Sequence, residues 1–381
     1  MVYITVMQSP MLHQMSIEEY LFGSYDGSLA LNSNISNTRT YEFGQTSWRF
    51  RNRIDVPALI EKLKSFNEST RQLHEVNRRD LYRTFHIPKK SGGLRRIDAP
   101  EPELMEALRR FKAIFEEDFH ALYHTSAFAY IKNRSTIDAV RRHQANNSRW
   151  FAKLDLHNFF GSTTLDFVMK MFSMVFPFSE VVKETDGEAA LREALDLAFL
   201  DGVLPQGTPL SPLITNVMMI PVDFKLSNTL RNFDRQNFIY TRYADDFIIS
   251  SRYDFDIRRV ESLVVDTLRS FEAPFSLNTQ KTRYGSSAGK NWNLGVMLNK
   301  DNEITIGYKK KRRFQSMLHN YIQDHKNGIQ WNLEDVQTMH GLYNYYHMVE
   351  GDTIDAIVRH INLKHEVDVL RMMKQDMKQL R

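Results

Sequence analysis

Residues 238–251 read FIYTRYADDFIISS. β-Branched and aromatic residues flank Ala244-Asp245-Asp246 on both sides, which predicts a β-hairpin with two adjacent acids at its turn. Close carboxylates raise one another's pKa unless a cation offsets them. Such a turn therefore either lies in solvent or recruits a cation. The 381 residues include no cysteine, which excludes a disulfide framework, Cys-ligated zinc or iron–sulfur centres and a cysteine nucleophile. A hard divalent ion remains, since Mg²⁺ favours one or two carboxylates plus substrate phosphates. A third acid, Asp155, leaves a predicted strand at 151–160 (FAKLDLHNFF). Adjacent strands would set Asp155 beside Asp245, where the acids would hold two ions about 3.5–4 Å apart for phosphoryl transfer. Taken singly, each acid is also explained by an ordinary solvated turn or strand end.

The rest of the chain mixes strand and helix patterns, so the fold class is α+β. Hydrophobic residues make up 42%, enough for a buried core. At roughly 150 residues per domain, the length predicts two or three domains. Residues 56–78 and 101–123 carry helical spacing, and 257–272 a third helix. Residues 81–100 predict a two-strand ribbon with a Lys-Ser-Gly-Gly tip. Ser211-Pro212 predicts a helix start, with serine as N-cap and proline at the first helical position. Residues 291–307 predict a second hairpin turning at Lys300-Asp301-Asn302, and 308–381 are mostly helical and basic. The N-terminus MVYITVMQSPMLHQM lacks a basic n-region and an A-x-A site, so no signal peptide is expected. No apolar run approaches the ~18 residues of a membrane span. A soluble, intracellular protein is the expectation.

Seven segments, in order, resemble the reverse transcriptases of the prokaryotic lineage that includes group II introns and retrons. They are 82–100 (YRTFHIPKKSGGLRRIDAP), 126–143 (SAFAYIKNRSTIDAVRRH), 155–160 (DLHNFF), 205–216 (PQGTPLSPLITN), 242–246 (RYADD), 277–285 (LNTQKTRYG) and 293–299 (NLGVMLN). The resemblance covers roughly residues 80–310. It implies a right-hand polymerase: an N-terminal extension and start of the fingers at 1–80, fingers at 81–150, a palm of antiparallel sheet plus helices at 151–307, and a helical thumb at 308–381.

The resemblance also implies roles. Asp155 and Asp245 would coordinate two Mg²⁺ ions, with Mn²⁺ as a substitute, and Asp246 would complete the cluster. Phe160 falls where the family keeps a steric gate against ribonucleotides; a core phenylalanine is the alternative. Gln206 would approach the incoming dNTP, and Gly207 would let the backbone come close to it. Lys89 and Arg95 sit where the fingers hold the triphosphate, unless they form only a solvated basic hairpin. Lys281 lies either near the nucleotide or in a surface salt bridge. Arg242 and Tyr243 would line the hairpin, with Tyr243 at the primer end. Lys309, Lys310, Lys311 and Arg312 open the expected thumb and would face the RNA/cDNA duplex. Tyr321, Trp331, Tyr343, Tyr345 and Tyr346 read as core more than as stacking residues.

Retron enzymes carry Asn-Ala-x-x-His before the first catalytic aspartate and Val-Thr-Gly further on. Here the matching stretches are Asp138-Ala139-Val140-Arg141-Arg142-His143 and Asn293-Leu294-Gly295. The Cys-dependent endonuclease of mobile-intron relatives is missing from the sequence. The details Asn291-Trp292-Asn293-Leu294-Gly295 and Ser126-Ala127-Phe128-Ala129-Tyr130 look most like the stand-alone defence-associated reverse transcriptases of the class-two type. That implies a bacterial cytoplasmic enzyme with a cognate structured noncoding RNA as template, concatenated cDNA as product and a role against phage. A retron-type or intron-like enzyme, an RNA-binding scaffold with little synthesis and an RNA-dependent RNA polymerase are the alternatives. Finally, the net charge of +4 (50 basic against 46 acidic residues) is best read as a sum over an acidic metal site and basic segments at 89–96, 109–112 and 309–313.

Overall fold

A computed structural model describes residues 3–5, 14–16, 54–89, 92–116, 123–234, 236–287 and 295–380. Most of the expected N-terminal extension, Lys90-Ser91 at the ribbon tip and Asn291 to Leu294 lie outside the described residues. The chain divides into two compact units: residues 1–135, 152–250 and 255–284 form the first, and residues 136–151, 251–254 and 285–381 the second. No described helix is long and apolar enough to cross a membrane.

The first unit carries a short antiparallel pair, β1 (Tyr3–Thr5) and β2 (Gln14–Ser16), then α1 (Val56–Glu75). Asp55 caps α1 by accepting from the Ala58 amide, and a proline stands in its first turn. The basic ribbon forms as expected, with β3 (Tyr82–Pro88) antiparallel to β4 (Leu94–Pro100). Next comes α2 (Pro102–Glu116). The chain then passes through α3 (Thr136–Ala145), which belongs to the second unit, and β5 (Trp150–Asp155) before a helical run: α4 (Leu165–Phe172), α5 (Phe178–Val181), α6 (Thr185–Asp196), α7 (Ser211–Met218) and α8 (Ile220–Asn232). Phe66, Phe111, Phe115, Phe178 and Phe172 form a chain of ring contacts with centroids 4.6–5.3 Å apart. This aromatic spine ties α1 and α2 to α4 and α5, each pair contributing beyond its buried area.

The acidic hairpin is β6 (Ile239–Tyr243) and β7 (Asp246–Ser251), antiparallel with Tyr243 opposite Asp246. Helix α9 (Ile257–Ser270) follows, capped by Asp256, and then β8 (Arg283–Ser286). These strands form a four-stranded sheet in the order β6-β7-β5-β8. Ser211 departs from expectation by one position. It is the first helical residue of α7, and the Thr208 hydroxyl accepts from the Ser211 amide at 3.1 Å. The Ser211 hydroxyl instead donates to the Pro205 carbonyl, fastening the loop that enters the helix.

In the second unit, β9 (Met297–Leu298) and β10 (Ile304–Thr305) make the second hairpin. Helices α10 (Tyr308–Lys326), α11 (Leu333–His365) and α12 (Val369–Gln379) close over Phe314, Leu318, Ile322, Val336 and Met339. Helix α11 breaks at Glu350, whose backbone is non-helical. The Glu350 carboxylate accepts from the Ile306 amide, the Thr305 hydroxyl and Lys311 Nζ at 2.7–2.9 Å. Tyr321 and Tyr346 are buried in this core, with Trp331, Tyr343 and Tyr345 packed against it.

His143 on α3 is 1% exposed, and its imidazole packs against Phe151. Burial pushes its pKa down to about 3. The unfolded chain gains this proton near the usual histidine value, whereas the folded chain refuses it until about pH 3. Stability is therefore lost as pH falls below about 6.5, at up to ~1.4 kcal/mol per pH unit for this group. Denaturant titrations at pH 7 and pH 5 should show a steeper acid loss in the wild type than in His143→Gln. Parallel curves would remove the assignment.

Candidate active site

Asp155 ends β5 and Asp245 sits in the β6–β7 turn; β5 and β7 are sheet neighbours. The Leu156 amide donates to the Asp245 carbonyl at 3.1 Å, so backbone pairing brings the two acids together across 90 residues of chain. Ala244 takes a left-handed φ of 57°, a conformation that costs a non-glycine residue energy and is common at functional turns. Asp155 is 5% exposed. Lys281 Nζ donates to both its oxygens, at 2.9 and 3.1 Å. Of the two readings of Lys281, the structure shows an ion pair, made with the buried acid itself.

Asp245 is pushed up to about 6 by burial, then by the charges of Asp246 and Asp155. Asp246 is also raised, mainly by burial, while Lys153 pulls it back. Lys153 Nζ lies 2.5 Å from Asp246 Oδ2. Sequence reasoning passed over Lys153. The signal was available, because a residue two before Asp155 on a strand shares its face.

Among the described residues no three His, Cys, Asp or Glu side chains enclose a metal ion by themselves. The donor set nevertheless suits one. Three hard carboxylates meet two ammonium groups, and Asp245, raised to about 6 by burial and then by its neighbours' charge, carries its negative charge at a cost. A divalent ion completed by substrate phosphates would relieve that cost.

Around this cluster, Phe159 is buried at 2% exposure, whereas Phe160 is half-buried in a single turn of 3-10 helix, Phe160–Ser162. The second aromatic is thus the one presented outward. The Gln206 carbonyl accepts from the Asp98 amide at 2.8 Å. Gly207 has φ +117°, and a Cβ there would stand 2.8 Å from Ile97 Cγ2 and 2.9 Å from the Asp98 carbonyl oxygen. Only glycine fits both the angle and the contact. Lys89 and Arg95 are exposed on the ribbon, and Tyr243 is half-buried opposite Asp246.

Three expected nucleic-acid contacts are corrected. Arg242 is 1% exposed. Its guanidinium makes two 2.8 Å bonds to the Asp223 carboxylate and one each to Asn216 and the Ala244 carbonyl. β6 is buried on both faces, so this side chain lies in the core, where it supports the turn from beneath. In the second unit, Lys310 Nζ donates to the Gly295 carbonyl at 2.7 Å, and Lys311, 24% exposed, is paired with Glu350. Both lysines brace the start of α10. Lys309 and Arg312 are exposed.

Residues 87–305 match the family model described as "Reverse transcriptase (RNA-dependent DNA polymerase)". The chain belongs to the reverse transcriptases. It is an RNA-directed DNA polymerase, of a family that depends on divalent metal. Its relatives include the retron Ec83 reverse transcriptase of Escherichia coli, 27% identical over 279 residues, covering 72% of this chain and 85% of that protein. The retron Ec73 enzyme of Escherichia coli is 30% identical over 208 residues, and the retron Mx65 enzyme of Myxococcus xanthus 28% over 291; the chain spans 64% of each. Among solved structures, apo telomerase from Candida Tropicalis aligns with 12% identity and a TM-score of 0.43, covering 79% of this chain and 62% of that one. This reverse transcriptase is therefore retron-like, although its 138–143 and 293–295 stretches depart from the retron pattern.

Proposed function

We propose that this reverse transcriptase copies one dedicated, structured noncoding RNA into cDNA, in the bacterial cytoplasm and in defence against phage. The observation that carries the polymerase reading is the backbone-paired meeting of Asp155 with Asp245 and Asp246. The noncoding RNA is supported by the retron relatives, and the defence role by the sequence details at 126–130 and 291–295.

Asp155 and Asp245 hold two Mg²⁺ ions in this reading, with Asp246 completing the cluster. Divalent ions held there would supply a lowered pKa for the primer hydroxyl and charge neutralisation for the leaving pyrophosphate. Lys281 yields its hold on Asp155 as substrate enters, and Lys153 keeps Asp246 ionised. Gln206 and the open backbone at Gly207 receive the dNTP, while Lys89 and Arg95 take its triphosphate. Tyr243 meets the primer end. The exposed Lys309 and Arg312 contact duplex phosphates, a contact that weakens with salt.

Phe160 closes the space beside C2′ of the incoming sugar. Phe160→Ala should raise ribonucleotide incorporation relative to dNTP by about tenfold or more, read by primer extension with each nucleotide alone. An unchanged ratio would return Phe160 to the core. The template reading is tested by sequencing RNA and cDNA that co-purify with the protein. One abundant small RNA with matching cDNA is expected; a random sample of cellular RNA would overturn it.

A further inference from the structure

The base of the basic ribbon holds a buried carboxylate that the polymerase reaction does not use. Asp98, 6% exposed, lies on β4. Its Oδ1 accepts from Thr84 Oγ1 at 2.6 Å across the ribbon, and from Arg96 Nε at 2.9 Å and Nη2 at 2.8 Å. Arg79 stands 3.7 Å away and also pairs with Asp201. Asp201 lies at the start of the loop that runs to Gln206 and Gly207. From the other side, the Asp98 amide donates to the Gln206 carbonyl, and its carbonyl oxygen sits under Gly207 where a Cβ would be. Asp98 thus joins both ribbon strands to the Gln206–Gly207 end of the loop, and through Arg79 of the preceding 3-10 turn (Arg78–Leu81) it is linked to Asp201 at the other end.

We infer that Asp98 is a positioning residue for nucleotide binding, a pivot fixing the angle between the basic ribbon and the Gln206–Gly207 loop. The inference rests on the reading of that loop and of Lys89 and Arg95 as dNTP contacts. Its physical basis is leverage. The ribbon runs on from Asp98 for about 13–20 Å at ~3.3 Å per residue, so a small tilt at the base displaces Arg95 and Lys89 by much more. Charge-assisted bonds to a buried carboxylate are among the stronger local constraints, and two Arg96 nitrogens on the one Oδ1 limit rotation of that side chain about β4. Asp98 itself touches neither the metal-site acids nor the reacting atoms. Its loss should therefore loosen dNTP capture and leave the chemical step alone.

The test is steady-state extension of oligo(dT) on poly(rA), with dTTP and primer–template varied in turn, for wild type, Asp98→Ala, Asp98→Asn and Thr84→Val. In Asp98→Ala the KM for dTTP should rise about tenfold, the scale of one charge-assisted hydrogen bond. Asp98→Asn and Thr84→Val should show smaller rises. In all three, kcat at saturating dTTP and the KM for primer–template should stay within about twofold, which a general loss of structure would not allow. An unchanged KM for dTTP, or a parallel loss of kcat and melting temperature in every variant, would overturn the inference. Hydrogen exchange of segments 82–100 and 201–207 gives a second measure, independent of activity. Both segments should exchange faster in Asp98→Asn, and equal rates would also overturn it. A wild type that does not extend the primer would count against the dNTP reading of the loop, while the exchange data would still judge the pivot.

Discussion

Replacing Asp245 with asparagine should lower primer extension by about 10³-fold or more, since it removes several kcal/mol of transition-state charge stabilisation. The same substitution should make the metal-free protein more stable. In the folded chain burial and the neighbouring acids raise the Asp245 carboxyl to about 6, well above the usual aspartate range. A raised acid is ionised at neutral pH against its surroundings, at a cost of order 1–3 kcal/mol that the unfolded chain does not bear. The sign follows directly: wild-type stability should rise as pH drops from about 7 towards 4 through this group, and Asp245→Asn should lack that gain. Primer extension with Mg²⁺, paired with denaturant melts in a chelator, reads both effects. Equal extension by the two proteins would sink the catalytic assignment. A variant both inactive and less stable would show that Asp245 is structural instead.

Asp223→Ala should destabilise the first unit by about 3–5 kcal/mol, because it leaves the Arg242 guanidinium buried without its counter-ion. Asp223 is fully buried, and both its oxygens are taken by Arg242, with the Tyr240 hydroxyl donating to Oδ1 at 2.8 Å. The double variant Asp223→Leu with Arg242→Met should recover much of that loss, since an apolar pair of similar volume avoids the desolvation cost altogether. Its activity should nevertheless stay low. Arg242 also bonds the Ala244 carbonyl, and methionine cannot replace that support for the left-handed turn that presents Asp245. Denaturant midpoints and extension rates on the same preparations check this. A double variant as unstable as the single one would show that packing, not charge, dominates the site.

The acidic hairpin was legible because two signals coincide there. Strand-forming residues flank the acids on both sides, and Ala244-Asp245-Asp246 interrupts them where a turn can form. The ribbon at 82–100 and the hairpin after 295 were legible for the same local reason. Arg242 shows where such reasoning stops. Its neighbours in sequence are the site, so an arginine there reads as a contact for nucleic acid. Its partners, Asp223 and Asn216, lie on α8 and α7, and nothing in local pattern marks them as its counter-ion and bridge. Lys311 was misread likewise: a run of five basic residues reads as a charged face, yet its bond to Glu350 needs a break in α11 that the sequence does not announce.

By itself, then, the sequence determined the chemistry: which acids stand at strand ends and turns, that cysteine chemistry is absent, and that the blocks follow the order of a reverse transcriptase. These are properties of spacing and residue type, set over a few residues of chain. Tertiary structure alone decided which charges are spent on holding the fold. Arg242, Lys153, Lys281, Lys311 and Asp98 each find a partner 19 to 126 residues away, or 14 across the ribbon. Whether a charge is solvated or buried against an opposite charge depends on that distant partner and on the dielectric around it.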